Sequence, residues 1–254
     1  MAKVKKSSVI LTCLLLALLC GVLFYIEGNA SKYIIRITRL CAINIVLALS
    51  MNLVNGFTGI FSLGHAGFMA IGAYSVALLT IPVAKKETIF MLEPLIAPLN
   101  TLTLPFGVAL IIGGLLAAAL AFFIGLPCLR LRGDYLAIAT LGFSEIIRII
   151  ITNAQCLTNG AQGLKSIPAT ANIWWCYGIA LATIIFIALL ISSSYGRAFK
   201  AIREDEIAAE SMGVSLLRHK MLSFMLSAFL AAVGGGLFAS YIGTIGPDVF
   251  QVSR

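Results

Sequence analysis

The chain has 254 residues, of which 60% are apolar and only 11% are charged, and its mean hydropathy is +1.03. A soluble domain of this length would carry about a quarter charged residues, so the composition excludes soluble globular and disordered proteins. The formal charge of +8 comes from Lys and Arg residues that lie mostly between apolar runs. That placement is typical of membrane topology, so we expect a lipid bilayer and no nucleic acid as the environment of the chain.

Seven apolar segments are long enough to cross a bilayer, and they predict an all-α polytopic membrane protein with one transmembrane domain over residues 1–254. In chain order the segments are 9–26, 37–54, 57–84, 104–126, 135–152, 174–192 and 221–242. The six cysteines show no Cys-x-x-Cys spacing, so we expect them to pack as small side chains. We accordingly expect no metal site and no cofactor.

The basic residues predict how the chain is oriented in the membrane. Lys3, Lys5 and Lys6 precede the first segment, and the positive-inside rule then places the N-terminus in the cytoplasm. Counting crossings forward, the turn with Arg130 and Arg132 and the loop between the sixth and seventh segments also face the cytoplasm.

The first segment has a second interpretation as a cleaved signal peptide, because Gly28-Asn29-Ala30 resembles a cleavage site. Its apolar core is about 18 residues long, whereas the apolar region of a signal peptide usually has about 7–15 residues. A membrane span is therefore favoured, and either interpretation leaves the later topology unchanged.

The third segment is rich in glycine and contains four residues of interest, Ser62, Gly64, His65 and Gly67. Small residues let helices approach closely, so helix packing is one interpretation. A translocation path or hinge, in which the small residues leave room and the imidazole supplies a polar edge, is the second. Catalysis by the serine and the histidine is a remote third, since no acidic partner or oxyanion donor can be named. We expect no catalytic residue.

The fifth segment contains Glu145 and Arg148, which are three residues apart and can pair on one helix face. Ionisable residues inside a membrane segment are costly and are by default functional, so the pair is a candidate for the translocation path or its hinge. A structural clamp is the alternative. Proton coupling would require a lone carboxyl group, and the neighbouring arginine disfavours it.

The loop at 193–219 is predicted to contain a short helix. The acidic run Glu204–Glu206 complements the dipole at a helix start, and Gly213 is a typical helix end. Ala208 and Met212 share one face at helical spacing, which favours docking into a groove of another protein. A solvated helix lying on lipid headgroups is the alternative, although the acidic residues disfavour an anionic surface.

Three sequence blocks carry a resemblance to a known family: Ser62–Phe68, Leu129–Arg148 and the loop at 193–219. In these blocks the chain resembles the LivM/LivH-type permeases of branched-chain amino acid ABC transporters, and it is closer to the LivM branch. The similarity runs from about Ala42 to Pro247 in ordered blocks.

The resemblance implies a non-enzymatic permease subunit in a bacterial inner membrane, which imports branched-chain or related amino acids. The implied partners are a second permease subunit, two cytoplasmic ATP-binding subunits that hydrolyse ATP, and an external substrate-binding protein. The coupling motif of the family reads Glu-Ala-Ala, three residues, then Gly, and here its acidic residue stands one place early. The implied ATPase-coupling residues are Arg203, Asp205, Glu206, Ala208, Ala209 and Gly213.

Two alternatives to this function remain open at the level of sequence. One is a secondary transporter driven by an ion gradient, with Glu145 as its intramembrane carboxylate. The other is an ABC permease for urea or another small solute. Family members continue past Gly246 and Pro247 into further apolar spans, so we expect a truncated chain, a fragment or half of a split subunit.

Overall fold

The computed structural model describes residues 6–90, 95, 99–131 and 133–250, with side chains from residue 17 onward. Within these ranges the chain is helical and has no β-strand, which confirms the all-α polytopic fold. The helices are α1 (Lys6–Asn29), α2 (Lys32–Asn52), α3 (His65–Thr80), α4 (Val83–Ile89), α5 (Phe106–Cys128), α6 (Asp134–Asn153), α7 (Gln155–Thr158), α8 (Ile173–Ser192), α9 (Ser194–Glu204), α10 (Glu206–Ser211) and α11 (Leu216–Ile242). Lys3, Lys5 and Arg132, which the orientation argument uses, lie outside the described residues.

Five helices in the described part of the chain are long and apolar enough to cross a membrane. They are α2 with the turn that follows it, α5, α6, α8 and α11. A sixth crossing results if α3 and α4, which meet at an angle of 119°, form one broken span. In α1 the residues with described side chains, Ala17–Asn29, form a shorter apolar helix.

The third predicted segment, 57–84, is not one continuous helix. Leu53–Phe57 forms a π-helical turn at the end of α2, residues 58–64 are non-helical, and α3 begins only at His65. Gly59 has a φ of +74°, a left-handed conformation that interrupts a helix and that glycine adopts without strain. The membrane-embedded chain therefore contains a break directly before α3.

The core forms around α11, which packs against α2, α3 and α5. A Cβ atom added at Gly72 of α3 would lie 2.1 Å from the carbonyl oxygen of Ala232, and one added at Gly235 of α11 would lie 2.1 Å from that of Met69. Glycines at these positions let the two backbones touch. This crossing places α3, and with it the break, beside the most buried helix of the fold.

The end of the fold opposite the break is tied together by backbone pairing. Leu164 and Ile245 exchange two hydrogen bonds of 2.8 and 2.9 Å, which join the loop after α7 to the chain after α11. The hydroxyl of Ser240 donates to the carbonyl of Pro168 and accepts from the amide of Ala171. The long loop is therefore fixed to α11.

We predict that Gly235→Val destabilises the folded protein, because the valine side chain has no space beside Met69. Overpacking of this kind costs roughly 1–3 kcal/mol, which corresponds to a fall in Tm of roughly 5–10 °C. Thermal unfolding in detergent measures it. Gly178→Val is the matched control, since a Cβ at Gly178 of α8 has no atom within 4 Å. Equal Tm values for the two variants would contradict the prediction.

Candidate functional site

The predicted helix in the loop at 193–219 is divided at Asp205. Arg203 and Glu204 end α9, Asp205 is extended with a φ of −157°, and α10 begins at Glu206. The carboxylate of Asp205 accepts hydrogen bonds from the amides of Ile207 and Ala208, at 2.8 and 3.0 Å. Asp205 therefore caps α10. The helix begins at Glu206, two residues after Glu204, which is the first residue of the acidic run.

The end of α10 is fixed by Gly213, which has a φ of +82°. The amide of Val214 donates to the carbonyl of Ala209 at 3.0 Å, and the amide of Gly213 donates to that of Glu210 at 2.9 Å. These two bonds and the left-handed glycine form a Schellman motif, which closes the last turn of a helix. A helix of only six residues is thus held at both ends.

One face of α10 points to solvent and carries apolar side chains. Ile207 is 71% exposed, Met212 just after the helix is 84% exposed, and Ala208 is also exposed. Ala209 on the opposite face is buried. Ala208 and Met212 therefore share one open face with Ile207, and this face is mainly apolar, with Ser211 as its polar member.

The buried side of α10 is joined to α11 by an ion pair. The ammonium group of Lys220 lies 2.5 Å from a carboxylate oxygen of Glu206. The Lys220 side chain is only 7% exposed, so it connects α10 to the first turns of the central helix.

Arg203 joins α9 to the break before α3. Its guanidinium donates to the carbonyl of Gly56 at 3.0 Å. Its methylene chain lies over Gly59, where an added Cβ would come within 2.8 Å of the Arg203 Cγ. The loop at 193–219 therefore contacts the membrane-embedded break directly.

The non-helical backbone of the break is held by one backbone hydrogen bond, from the amide of Ile60 to the carbonyl of Val54 at 3.1 Å, and by side chains. The amide of Ser62 donates to the side chain of Asn55 at 3.3 Å, and that of Leu63 donates to the hydroxyl of Thr140 at 3.1 Å. The Ser62 hydroxyl accepts from the amide of Gly64 at 3.4 Å. Irregular backbone at membrane depth requires such partners, because lipid supplies none.

Gly64 and Gly67 lie against α6. A Cβ at Gly64 would be 2.9 Å from the carbonyl oxygen of Thr140, and one at Gly67 would be 3.0 Å from the Cα of Ser144. The glycines therefore bring the start of α3 into backbone contact with the helix that carries Glu145 and Arg148.

His65 bonds to Ser50 of α2, with 2.7 Å between its Nε2 and the serine hydroxyl. The same hydroxyl lies 2.7 Å from the carbonyl of Leu47 on its own helix. The carbonyl of Ser50 accepts from the hydroxyl of Ser227 on α11 at 2.8 Å. A cavity of about 10 Å³, enough for about one water molecule, lies beside His65, Ser62 and Ser227.

Glu145 and Arg148 form an ion pair on α6. The Nε of Arg148 donates to the Oε1 of Glu145 at 2.8 Å, and its Nη2 contacts the same oxygen. The side chains are 44% and 23% exposed, respectively. The buried face of α6 instead presents Thr140, Ser144 and Ile147 to α3, so the ion pair is not part of the cluster around His65.

The chain matches the family described as branched-chain amino acid transport system / permease component over residues 33–253. The chain belongs to this family. It is 36% identical to the high-affinity branched-chain amino acid transport system permease protein LivM of Escherichia coli strain K12, over 88% of this chain and 56% of the relative. The LivM of Salmonella typhimurium strain LT2 is 34% identical over the same shares.

A probable branched-chain amino acid transport permease protein LivM of Methanocaldococcus jannaschii is 24% identical, over 81% of this chain and 66% of the relative. The chain spans about half the length of the bacterial LivM proteins that it matches. No solved structure matches this member of the permease family.

Three residues that the sequence analysis did not identify hold the break and the start of α3. Thr140 bonds the amide of Leu63 in the break, Ser50 bonds His65 at the start of α3, and Ser227 bonds the carbonyl of Ser50. Each is a hydroxyl residue in an apolar run of a different helix. Thr140 and Ser227 are far from the break in sequence, so only the fold brings the three residues together. Hydroxyl residues inside predicted spans were the available signal.

We predict that Asp205→Ala loosens α10, because the amides of Ile207 and Ala208 lose their acceptor. Loss of a helix cap costs about 1 kcal/mol, so amide hydrogen exchange in α10 should accelerate about fivefold. Asp205→Asn is the control, since the amide oxygen of asparagine also caps helices. Unchanged exchange in the alanine variant would show that the cap does not stabilise α10.

Proposed function

We propose that the chain is the permease subunit of an ATP-driven importer for branched-chain or related amino acids, which receives substrate from an external binding protein. The observation that carries the proposal is the construction of α10. This short helix is capped at Asp205, closed at Gly213 and bound to α11 through Glu206, yet its apolar face is open. A rigid helix with an exposed apolar face is suited to docking in a groove of another protein.

In this proposal the chain lies in a bacterial inner membrane with its N-terminus and α10 in the cytoplasm. A second permease subunit and two ATP-binding subunits complete the importer, and ATP is hydrolysed on those subunits rather than on this chain. Arg203, Asp205, Glu206, Ala208, Ala209 and Gly213 are the proposed coupling residues.

Two contacts support a route from α10 into the membrane. The Glu206–Lys220 pair connects α10 to α11, the central helix. Arg203 connects α9 to Gly56 in the π-helical turn and to Gly59 in the break. If ATP binding on the partner subunits displaces α9 and α10, the displacement acts on both α3 and α11. It would then favour one of two ways in which the transmembrane helices pack.

The proposed path or hinge consists of Ser62, Gly64, His65 and Gly67, with Glu145 and Arg148 on the neighbouring helix. Support for it comes from the non-helical backbone before α3, since broken spans form binding sites in other transport proteins. Glu145 is paired with Arg148, so it is not the lone carboxylate that proton coupling would require.

The whole proposal is tested by purifying the chain with its partner subunits and measuring uptake in proteoliposomes. We expect co-purification with an ATP-binding subunit and uptake of radiolabelled leucine, isoleucine or valine that requires ATP. Ligand identification on the binding protein then defines the substrate, and urea is the comparison solute. Uptake that follows an imposed ion gradient without ATP would instead establish secondary transport.

We predict that Gly213→Val uncouples ATP hydrolysis from uptake. A β-branched residue at a φ of +82° is strained by about 1–3 kcal/mol, so α10 loses its fixed end. Membrane insertion and ATP hydrolysis should persist, while ATP-driven uptake should fall by roughly tenfold. Gly133→Val is the control, because Gly133 has a φ of +58° in the other predicted cytoplasmic turn. Coupled uptake at the normal rate in the Gly213 variant would remove the coupling role of α10.

We predict that Arg203→Met lowers uptake several-fold, because methionine keeps apolar contact over Gly59 but cannot donate to the carbonyl of Gly56. Arg203→Lys keeps a donor and should retain most of the uptake. Arg197→Met removes an exposed arginine of the same helix and serves as the charge control. The measurement is uptake per ATP hydrolysed, which a loss of protein amount alone does not change.

A further inference from the structure

We propose that the turn at Pro247–Phe250 is a strap that closes over the seam between α3 and α6 when the carboxylate of Asp248 binds Tyr74 and Arg148. The strap is the short 3-10 helix that follows α11. The inference rests on the proposed function in one respect only, namely that a transport path is closed on one side at a time. Its structural evidence is independent of α10.

The strap packs against α3 and α6 at the end of the fold opposite the break. The buried ring of Phe250 lies against two other rings, at centroid distances of 6.3 Å from Tyr74 on α3 and 6.5 Å from Phe238 on α11. Asp248 on the same turn is exposed. Aromatic contacts therefore hold one side of the strap, while its charged side chain is not enclosed by the protein.

Two hydrogen-bond donors on different helices face Asp248. Tyr74 stands ten residues after Gly64, and Arg148 stands eight residues after Thr140, which Gly64 contacts. At 1.5 Å per residue both side chains are about 12–15 Å above that contact, so they lie at a similar height. The carboxylate of Asp248 interacts electrostatically with the hydroxyl of Tyr74 and with the guanidinium of Arg148. One acceptor group therefore faces donors from both sides of the seam.

The groups around the strap do not use all of their hydrogen-bonding capacity. The Tyr74 hydroxyl is buried and has no hydrogen-bond partner among the described residues. The residue is only 3% exposed, so solvent does not reach the hydroxyl in this conformation. The Asp248 carboxylate likewise accepts no hydrogen bond from the part of the chain that the structure describes. Because a buried hydroxyl without a partner is costly, a movement that joins the two groups is favoured.

Arg148 has a donor group left for Asp248 while it stays bound to Glu145. Its Nε and Nη2 atoms both contact the Oε1 atom of Glu145, which leaves the Nη1 group for a second acceptor. The Arg148 side chain is 23% exposed, so a carboxylate has room to approach it. Hydrogen bonds between charged groups are about twice as strong as those between neutral groups. In the closed strap, Arg148 thus joins a carboxylate of α6 to a carboxylate of the turn.

Gly246 is the point about which the strap turns. The preceding residue, Ile245, is fixed by its two hydrogen bonds to Leu164. A Cβ added at Gly246 has no atom within 4 Å, and glycine restricts the backbone less than other residues do. Closure therefore moves the residues after Gly246 and leaves the paired backbone at Leu164 intact.

The strap and the break lie at opposite ends of the same seam. The break and His65 belong to the proposed path at the inner end, and the strap covers the outer end. A closed strap prevents substrate from returning outward while the path is open to the cytoplasm. Lifting of the strap then admits the next substrate from the external binding protein.

The test measures the position of the strap with two spin labels. Val249→Cys on the strap and Ile150→Cys on α6 are labelled at exposed positions, in a background in which the six native cysteines are alanine. Pulsed electron paramagnetic resonance on the assembled transporter, with and without a non-hydrolysable ATP analogue, should give two distances. The pair Lys165→Cys with Ile150→Cys omits the strap and should give one distance. A single distance for the Val249 pair that the analogue does not change would overturn the proposal.

Variants of the facing groups test which bond closes the strap. Tyr74→Phe keeps the ring contact with Phe250 but lacks the hydroxyl, and Asp248→Ala removes the acceptor. Each variant should lower the fraction at the shorter distance several-fold. The double variant should lower it no further than Asp248→Ala alone, because the bonds share that carboxylate. An unchanged fraction in Tyr74→Phe, or effects that multiply in the double variant, would overturn the assigned bond.

Tyr241→Phe is the matched control for the loss of a hydroxyl. Tyr241 is a partly buried tyrosine near the end of α11, and it should leave the fraction at the shorter distance unchanged when its hydroxyl is removed. A fall as large as that in Tyr74→Phe would show that the effect is not specific to the group facing Asp248, and it would overturn the assigned bond as well.

The role in transport is tested by uptake per ATP hydrolysed. Asp248→Ala should lower this ratio several-fold, because substrate returns through an outer end that no longer closes. Asp248→Glu keeps a carboxylate and should retain most of the uptake. An unchanged ratio in Asp248→Ala would show that the strap does not control the path, and would overturn its role in transport.

Failure of this inference and failure of the proposed function give different results. ATP-dependent uptake by the unmodified complex tests the function without reference to the strap. A single, unchanged distance for the Val249 pair in a complex that transports with ATP rejects only the strap. Two distances in a protein that transports without ATP reject only the importer.

Discussion

The close crossing of α3 and α11 is the contact on which the other features depend. Gly72 and Gly235 allow each backbone to reach a carbonyl oxygen of the other helix, and larger side chains would separate them. The same helix α11 also carries Lys220, which pairs with Glu206 of α10, and Ser227, which donates to the carbonyl of Ser50 on α2. The break before α3 therefore lies beside the part of α11 that contains Phe224 and Ser227, within about two turns of Lys220.

The helical fold follows from composition and hydropathy, because a chain with this few charges satisfies its backbone in lipid only as helices or closed barrels. Hydropathy predicts seven spans, whereas the described residues contain five helices long enough to cross, or six with the bent pair. The end of α10 at Gly213 was also predictable, since a left-handed glycine is the usual helix end. The break at residues 58–64 was not. Its apolar residues are typical of a continuous span, and the sequence does not show that Asn55 and Thr140 would supply hydrogen bonds to the irregular backbone there.

In the loop at 193–219, too, the sequence predicts the presence of a helix but not the contacts that decide where it begins. The acidic run predicted a helix start, but not that Asp205 would cap one helix while Arg203 ended another. Residues next to each other in sequence therefore have different partners, Gly56 for the arginine and the α10 amides for the aspartate. Which residue of a charged run becomes a cap depends on where the preceding helix is held by its neighbours.

The bond from the Leu63 amide to the Thr140 hydroxyl limits how the protein can change shape. If α6 slid along α3 by one residue, about 1.5 Å, this amide would lose its acceptor, which is costly for a buried polar group. Gly64 and Gly67 tighten the same seam by backbone contact. We therefore expect the start of α3 and α6 to move together when the protein changes conformation, with bending at the proposed hinge confined to the residues before Leu63.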